Sequence, residues 1–492
     1  MKHYKILFSS MLVLALASCK KVIDVKETDF VGGDIALKTV ENNEQGVVGA
    51  YSLLGNEQAI LLNATFADEV KRGEFYNAGT THEWQYTSTD IGLRDNFTAL
   101  NIFYRAIDRV NRVLQALPKS DSTRTGDNKL RDQLKGEALF IRAFSHFELY
   151  RFYSGASDPN ALAMVYMEEP SIKSTTRIAV GPYFDKLKAD LTAAKALLPS
   201  AASTEAQTLR ANKLAVAGLQ ARIALYLKQW DDAITYSTEY INALPLASKT
   251  EFPDIWTDAK VTEVAFKLKR SATSLGYLRF DAGTTATTRL GSLFRATSTS
   301  ATSIGSVTWV VSDKLWSSFD QTNDIRFASY LKDESVLSSA SPARPSHIVK
   351  KYAGGAYGTA TENLVDAKIF RTGEMYLIRA EAKAEKNDLA GAAADLNAIR
   401  AARITGYVTG VFASKDALIT AIMDERFKEL AFEGHRFWDL RRRSLPVVRL
   451  ASDAPAASAT TLPGGNFRFV LPIPNAEVQA NPTIQQNTGY TN

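Results

Sequence analysis

The residues able to do chemistry are few in kind. Outside His3, the histidines are His82, His146, His347 and His435, and no two stand within reach of each other on one helix. The chain has no HExxH pair and no EF-hand loop, so no metal centre is expected. Walker, dinucleotide GxGxxG and GxSxG patterns are missing too, which leaves nucleotide and acyl-transfer chemistry without their usual sequence support. The single cysteine, Cys19, rules out an intrachain disulfide and any multi-cysteine cluster. His146 lies in an apolar helical segment and reads as a packed core histidine. Among 53 carboxylates, acidic pairs such as Asp68-Glu69 are inevitable. Glycoside hydrolysis would depend on a carboxylate separation that only the fold sets. The expectation is a protein without cofactor and without catalytic residues.

The densest charged constellation runs Glu425-Arg426-x-x-Glu429-x-x-x-Glu433-Gly434-x-Arg436-x-x-Asp439-x-Arg441. On a helix Glu425, Glu429 and Glu433 share one face at i, i+4 and i+8, and Gly434 is a natural stop. Three like charges in a row need cations, and Arg426, Arg436 and Arg441 to Arg443 are the near ones. A structural ion-pair and capping network is the expectation here rather than an active site, and the Arg441 to Arg443 run reads as paired or solvated rather than as a nucleic-acid patch.

A second group suggests binding. Glu74-Phe75-Tyr76 and Trp84-Gln85-Tyr86 lie in a Gly- and Thr-rich stretch, 68–96, that lacks a helical apolar face. Flat aromatic faces stack on sugar rings while Asp, Asn and Arg bond hydroxyls, so Asp68, Arg72, Tyr76, Asn77, Trp84, Tyr86 and Asp90 are the candidate ligand residues, with Trp309 a weaker one. The alternative is that these aromatics pin a long loop to the body of the protein.

The elements that must position these groups read mainly as helix. Leu134, Ala138, Ile141 and Leu139, Ala143, Phe147, Tyr150 recur at three and four residues, predicting a helix over 130–153 with a wide apolar arc. Pro182 and Pro199 bracket another over Tyr183 to Leu198. Ala221, Trp230 and Ala233 stand at offsets 0, +9 and +12, as do Ala380, Leu389 and Ala392. That small, large, small pattern suits tetratricopeptide-type hairpins over 213–243 and 372–403, the small residues letting helices approach and the large one filling the gap. Between them, 16 of the 40 residues from Ser271 to Val310 are Ser or Thr, and helical periodicity is lost.

At the start, Lys2 and Lys5 precede an apolar run from Ile6 to Ala17 that is too short to span a bilayer, and Leu16-Ala17-Ser18-Cys19 closes it. This reads as a lipoprotein signal whose Cys19 is acylated and becomes the first mature residue; dual acylation anchors a protein stably. With 492 residues, 45% hydrophobic and 23% charged, the chain has globular composition. Its formal charge of +5 falls to +3 once Lys2 and Lys5 are removed, leaving no strong field for nucleic acid.

Taken together, these residues resemble the SusD/RagB family of nutrient-binding lipoproteins over nearly the whole chain. Beyond the Cys19 signal, the likeness rests on Tyr104-x-x-Ile107-x-x-x-Asn111, on Gly136-Glu137-Ala138-Leu139-Phe140-Ile141-Arg142-Ala143, and on Arg371-x-x-Glu374 through Ala382 with Leu396-Asn397-x-Ile399-Arg400. The Glu425 to Arg442 constellation and the tail Leu471-Pro472-Ile473-Pro474, Asn481-Pro482 and Gly489-Tyr490 complete it. The resemblance implies a mainly α fold, a tetratricopeptide-like hairpin platform carrying an irregular, loop-rich ligand-binding insert, without enzymatic activity. The expected divisions are a signal peptide over 1–18, a lipidated tether over 19–34, helical regions over 35–245 and 366–443, an insert over 246–365 and a tail over 444–492. It further implies outer-membrane anchoring, with a glycan ligand and a SusC-like TonB-dependent transporter as partners and the cell exterior as the working side. A peptide-binding RagB-type member is the alternative ligand class, and a lipid-anchored glycosidase the alternative activity.

Overall fold

The computed structural model describes residues 36–76, 83–86, 99–200, 204–271, 289–295, 298–300 and 303–490; Cys19, Asn77 and Asp90 lie outside them. The first helices are α1 (Val40–Tyr51) and α2 (Glu57–Phe66), followed by the short strand β1 (Val70–Arg72). A capping box starts α1, where the Thr39 hydroxyl accepts from the Asn42 N–H at 3.1 Å. Helices α3 (Leu100–Ala116), α4 (Asp127–Tyr153) and α5 (Val180–Leu197) come next. In α3 the buried residues Phe103, Ile107, Val110 and Val113 mark one face, so that helix lies on the outside of the stack. From Gly136 to its end α4 is buried on every side, because α1 and α3 flank it on one side and α5 on another. Aromatic edges lock that centre: Phe147 meets Tyr226 at 5.4 Å and Tyr150 meets Phe184 at 4.7 Å.

Both hairpins form where the spacing places them, as α6 (Lys213–Tyr226) with α7 (Trp230–Ala243), and later α8 (Thr372–Glu385) with α9 (Leu389–Arg403). Ala221, Ala233, Ala380 and Ala392 are fully buried at the two crossings. The large residue differs between the two: Trp230 packs against the main core and Leu389 does not. Trp230 is half-buried and Leu389 is exposed, because each opens the second helix of its hairpin, where the chain has just emerged from the turn. What the turns share is a left-handed residue seven positions after the first alanine, Lys228 at φ 57° and Asn387 at φ 65°. Helix α7 packs on α8, joining the hairpins, and the buried Arg222 donates two hydrogen bonds of 2.7 Å to Glu374 across that junction.

The strands are short antiparallel pairs. β2 (Val264–Leu268) pairs with β6 (Ala367–Arg371), β1 with β3 (Trp309–Val311), and β4 (Leu331–Asp333) with β5 (His347–Val349). After the hairpins come α10 (Lys415–Glu429) and α11 (Arg436–Arg442). The tail then returns to the centre, where the Leu471 N–H donates to the Phe152 carbonyl at 3.0 Å. One apolar core runs from Val40 to Tyr490 and includes Trp309, Tyr330 and Tyr352 between the hairpins; a smaller one lies under α8, α9 and α10. Among the described residues no helix is long and apolar enough to cross a membrane. The architecture is the mainly helical hairpin platform that the periodicity predicts.

Candidate functional site

The Glu425 constellation folds differently from the single helix expected. α10 ends at Glu429, and Phe432 at φ 61° and Gly434 at φ 82° turn the chain before α11 begins. Glu433 is therefore off the helix, yet it reaches the same place. Its carboxylate accepts from Arg371 Nη2 at 2.6 Å and from Lys351 at 2.7 Å. Glu429 accepts at 3.1 Å from Arg326, Arg371 and Arg403, and Glu425 pairs with Arg326 at 2.6 Å and Arg400 at 2.7 Å. Glu263 and Asp324 complete the set through Arg403 and Arg326. Apart from Lys428, 3.6 Å from Glu425, the cations are thus not the sequence neighbours. Arg426 turns instead to Asp439, Arg436 to Asp68, Arg442 to Glu381 and Asp439, and Arg443 to Glu381 and Glu385. Burial pushes the Glu425 carboxyl up, but Arg326, Lys428 and Arg400 override it and hold it at about 2. Every carboxylate here is occupied by protein cations, which is the behaviour of an internal clamp.

Asp68 and Glu69 are likewise interior. Asp68 accepts from Arg436 at 2.8 and 2.9 Å and from Lys314 at 2.6 Å; burial raises its carboxyl, and these two cations pull it down to about 2. Glu69 takes only the Phe432 N–H, at 3.2 Å, and its Oε2 has no partner among the described residues. Burial, with the charge of Asp68, pushes it up to about 8. A carboxyl raised in the folded state keeps a proton that the unfolded chain loses. Its contribution is fully present below about 4.5 and is lost as pH rises through about 8. Glu69→Gln is expected to match the parent at pH 5 and to exceed it by on the order of 2 kcal/mol at pH 8. Urea unfolding of both proteins across that range measures the difference; parallel curves would refute it.

His146 is the core residue its neighbours suggest. Its Nδ1 lies 3.1 Å from the Tyr183 hydroxyl, and burial holds the ring at about 3, neutral at any ordinary pH.

The structure distributes the expected ligand residues between interior and surface. Trp84 is 5% exposed with Arg449 over its face, Tyr86 is 4% exposed and stacks on Tyr490, and Trp309 is 2% exposed in β3. Their ring faces are covered by protein, so these three hold the loop and strand in place. Arg72, Phe75 and Tyr76 sit at the surface edge. Arg72 pairs with the buried Glu83 and lies 4.0 Å over the Tyr76 ring, and Tyr76 meets Trp309 edge-on at 5.3 Å. Phe75 is 69% exposed. The strand explains why: β1 continues past its end, Gly73 N–H donating to the Thr308 carbonyl at 2.8 Å and Phe75 N–H to Val307 at 3.0 Å. Any Cβ at Gly73 would stand 2.2 Å from the Val307 oxygen, so only glycine lets the two backbones pair this closely.

Beside Phe75, Arg344 pairs with Glu74 at 2.8 Å, and both side chains keep about a quarter of their surface, 26% and 28%. Arg344 carried no local signal, since it stands 270 residues from its partner. The result is an exposed aromatic ring on a backbone-clamped segment that also carries Arg72 and the Glu74 carboxylate with its Arg344 partner. Such a surface can take a sugar's C–H face on the ring and its hydroxyls on the charged groups.

Comparisons with known proteins agree with this architecture. Residues 27–225 match a family model described as "Starch-binding associating with outer membrane", and residues 319–490 match one described as "SusD family". SusD-like protein P38 of Formosa agariphila is 22% identical over 535 aligned positions that span all of both chains. A SusD superfamily protein from Bacteroides thetaiotaomicron superposes with a TM-score of 0.74 at 23% identity, covering 91% of this chain and 99% of the other. Surface glycan-binding protein A from Bacteroides thetaiotaomicron does so at 0.69 and 19%, covering 92% and 100%.

Proposed function

Since the chain belongs to the SusD family, we propose that it is a surface lipoprotein that captures a glycan nutrient, holds it against Phe75, and delivers it to a SusC-like TonB-dependent transporter. The observation that carries this reading is the exposed Phe75 ring on a segment held by strand pairing, the same segment carrying Arg72 over Tyr76 and Glu74 paired with Arg344. Trp84, Tyr86 and Trp309 serve it from behind, and Asp68 ties β1 to α11 through Arg436. The relatives support the ligand class by their names, one of them a surface glycan-binding protein.

In this reading Cys19 carries the acyl chains that hold the protein on the outer membrane facing the exterior, and residues 19–34 are the tether. Residues 246–365 are the insert that supplies Arg344 to the site, while the helical regions over 35–245 and 366–443 are the platform and 444–492 its covering tail. No chemical step is assigned, because the paired carboxylates Asp68 and Glu69 are enclosed by protein.

The test is Phe75→Ala, assayed by calorimetry against a panel of neutral and acidic soluble polysaccharides. An exposed side chain contributes little to stability, so the fold should hold within about 0.5 kcal/mol. Binding of the best polysaccharide should weaken about tenfold, or ~1.4 kcal/mol. Unchanged affinity would remove Phe75 from the site, and turnover of a polysaccharide by the purified protein would make it an enzyme.

A further inference from the structure

Beside the buried face of α3 runs a basic one. Arg105, Arg109 and Arg112 follow one another at intervals of four and three residues, so they share a side of the helix, and Asp108 stands among them. They line a groove of about 540 Å³ whose other wall is the segment after α4, at Met167, Ser171 and Ile172. Three arginines against one aspartate leave it at a net +2, and no other carboxylate lines it among the described residues. Glu168, the residue after Met167, is taken by Lys186.

The three guanidinium groups are not equally engaged. Arg112 gives Nε to Asp108 at 2.8 Å and Nη2 at 3.1 Å. Arg109 gives Nη1 to the Gly49 carbonyl of α1 at 2.6 Å, which leaves its Nε and Nη2 without an acceptor among the described residues. Arg105 is exposed and has no partner among them at all. Other partly exposed arginines, such as Arg344 on Glu74 and Arg443 on Glu385, end on carboxylates. Guanidinium forks are matched to oxyanions. Arg105 and Arg109 stand one turn apart, about 6 Å along the axis, so the stripe suits two oxyanions in succession better than one small ion.

A solvated helix face could carry this charge alone, but it would have no floor. Here Tyr104 and Met167 lie half-buried in the groove, and the Tyr104 hydroxyl is committed to the Val165 carbonyl at 2.9 Å, so that residue offers its ring. Asn101 and Ser171 are exposed neutral groups able to bond hydroxyls. A flat bilayer surface would meet Ile172, which is fully exposed, but not this floor.

We infer that the groove is a second ligand site, for a stretch of glycan bearing carboxylate or sulfate groups, two of which meet Arg105 and Arg109 while the sugar rings lie along Tyr104 and Met167. It shares no residue with the Phe75 surface and stands or falls separately from it.

The experiment is calorimetry with tetragalacturonate and a κ-carrageenan tetrasaccharide, the carboxylate and sulfate arms, and with galacturonate and cellotetraose as controls. At least one acidic tetrasaccharide is expected to bind, about tenfold or more tighter than galacturonate, and to weaken as salt rises. Arg105→Glu is the decisive variant. Its side chain is exposed and unpartnered, so the urea midpoint should not move, while acidic tetrasaccharide binding should weaken about tenfold or more. Arg105→Lys, which keeps the charge, should retain most of the affinity, and cellotetraose binding should be the same in all three proteins. Failure of both acidic tetrasaccharides to bind, galacturonate binding equally well, or affinity unchanged in Arg105→Glu would each overturn the inference. Loss in Phe75→Ala without loss in Arg105→Glu would also overturn it, by placing the acidic glycan on the Phe75 surface. Vesicles of equal parts phosphatidylglycerol and phosphatidylcholine are the arm for a lipid surface: binding that Arg105→Glu weakens, with neither tetrasaccharide bound, would overturn it in favour of headgroups.

Discussion

Glu429→Ala is expected to cost at least 4 kcal/mol, roughly a third or more of the stability of an ordinary domain. Glu429 closes α10 from a fully buried position, and Arg326, Arg371 and Arg403 converge on its carboxylate. Its backbone carbonyl takes the Tyr330 hydroxyl and Arg371 Nη2, both at 3.0 Å, so the main chain is already committed at this point. Removing the carboxylate leaves three guanidinium groups facing one another in the interior, where neither water nor a substitute anion can relax them. Glu429→Gln, which keeps the size and loses the charge, should be nearly as damaging. Urea unfolding measures both, with Arg112→Ala as control: Arg112 pairs with Asp108 on the outside of α3, and that change should cost less than about 0.5 kcal/mol. A Gln variant within about 1 kcal/mol of the parent would show that the clamp works by shape instead of charge. The same clamp sets the acid limit. Glu425, held at about 2 against an ordinary 4.5, contributes stability that is present above 4.5 and is lost as pH falls toward 2.

Trp309→Ala and Tyr86→Ala are expected to destabilise the protein by about 3 to 5 kcal/mol each, the cost of emptying a large aromatic site in a core. Trp309 is 2% exposed, sits opposite Arg72 in the β1–β3 pair, and backs the Tyr76 ring. Tyr86 is 4% exposed, and its hydroxyl lies 2.6 Å from that of Tyr490, which joins the loop around 83–86 to the end of the chain. Tyr86→Phe removes that contact together with the hydroxyl's bond to the Arg468 carbonyl at 2.9 Å, keeps the ring, and should cost only about 1 to 2 kcal/mol. Denaturant midpoints separate these roles from binding. If either alanine variant kept its stability within about 0.5 kcal/mol and lost polysaccharide binding instead, the ring would be a ligand contact and the Phe75 surface would have to include it.

How far the sequence reaches depends on how local the cause is. The helix over 130–153 is legible because apolar residues at three and four apart state which face is buried, and α4 forms over Asp127–Tyr153. The hairpins are legible from four alanines, since a close crossing tolerates nothing larger. Leu389 misled because its spacing says that it repeats the place of Trp230, and not that it stands at a helix start with one side open. In the acidic constellation the sequence indicates a paired network, because three carboxylates on one face cannot stay unpaired. It points to the wrong cations, as Arg326, Lys351, Arg371 and Arg403 come from segments that touch α10 only after the chain has folded.

The aromatic stretch shows the same limit more sharply. Composition marks 68–96 as unlike the helices around it, yet Phe75 and Trp84 are equivalent by type. The pairing of residues 70–75 with 307–311 fixes the backbone that leaves Phe75 exposed, and Arg449, arriving from the tail, covers Trp84. Arg441 is a further case: within its run of three arginines nothing distinguishes it, and its neighbours find carboxylates where it does not. Membership of the family, the helical class, the hairpins and the presence of a charge clamp were determined by the sequence itself, because each follows from residues within a few turns of one another. Which aromatic ring meets solvent, which cation meets which carboxylate, and which guanidinium ends on backbone carbonyls instead were decided by tertiary structure alone. Those outcomes are differences in burial, and burial is a property of the surfaces that distant segments present to each other.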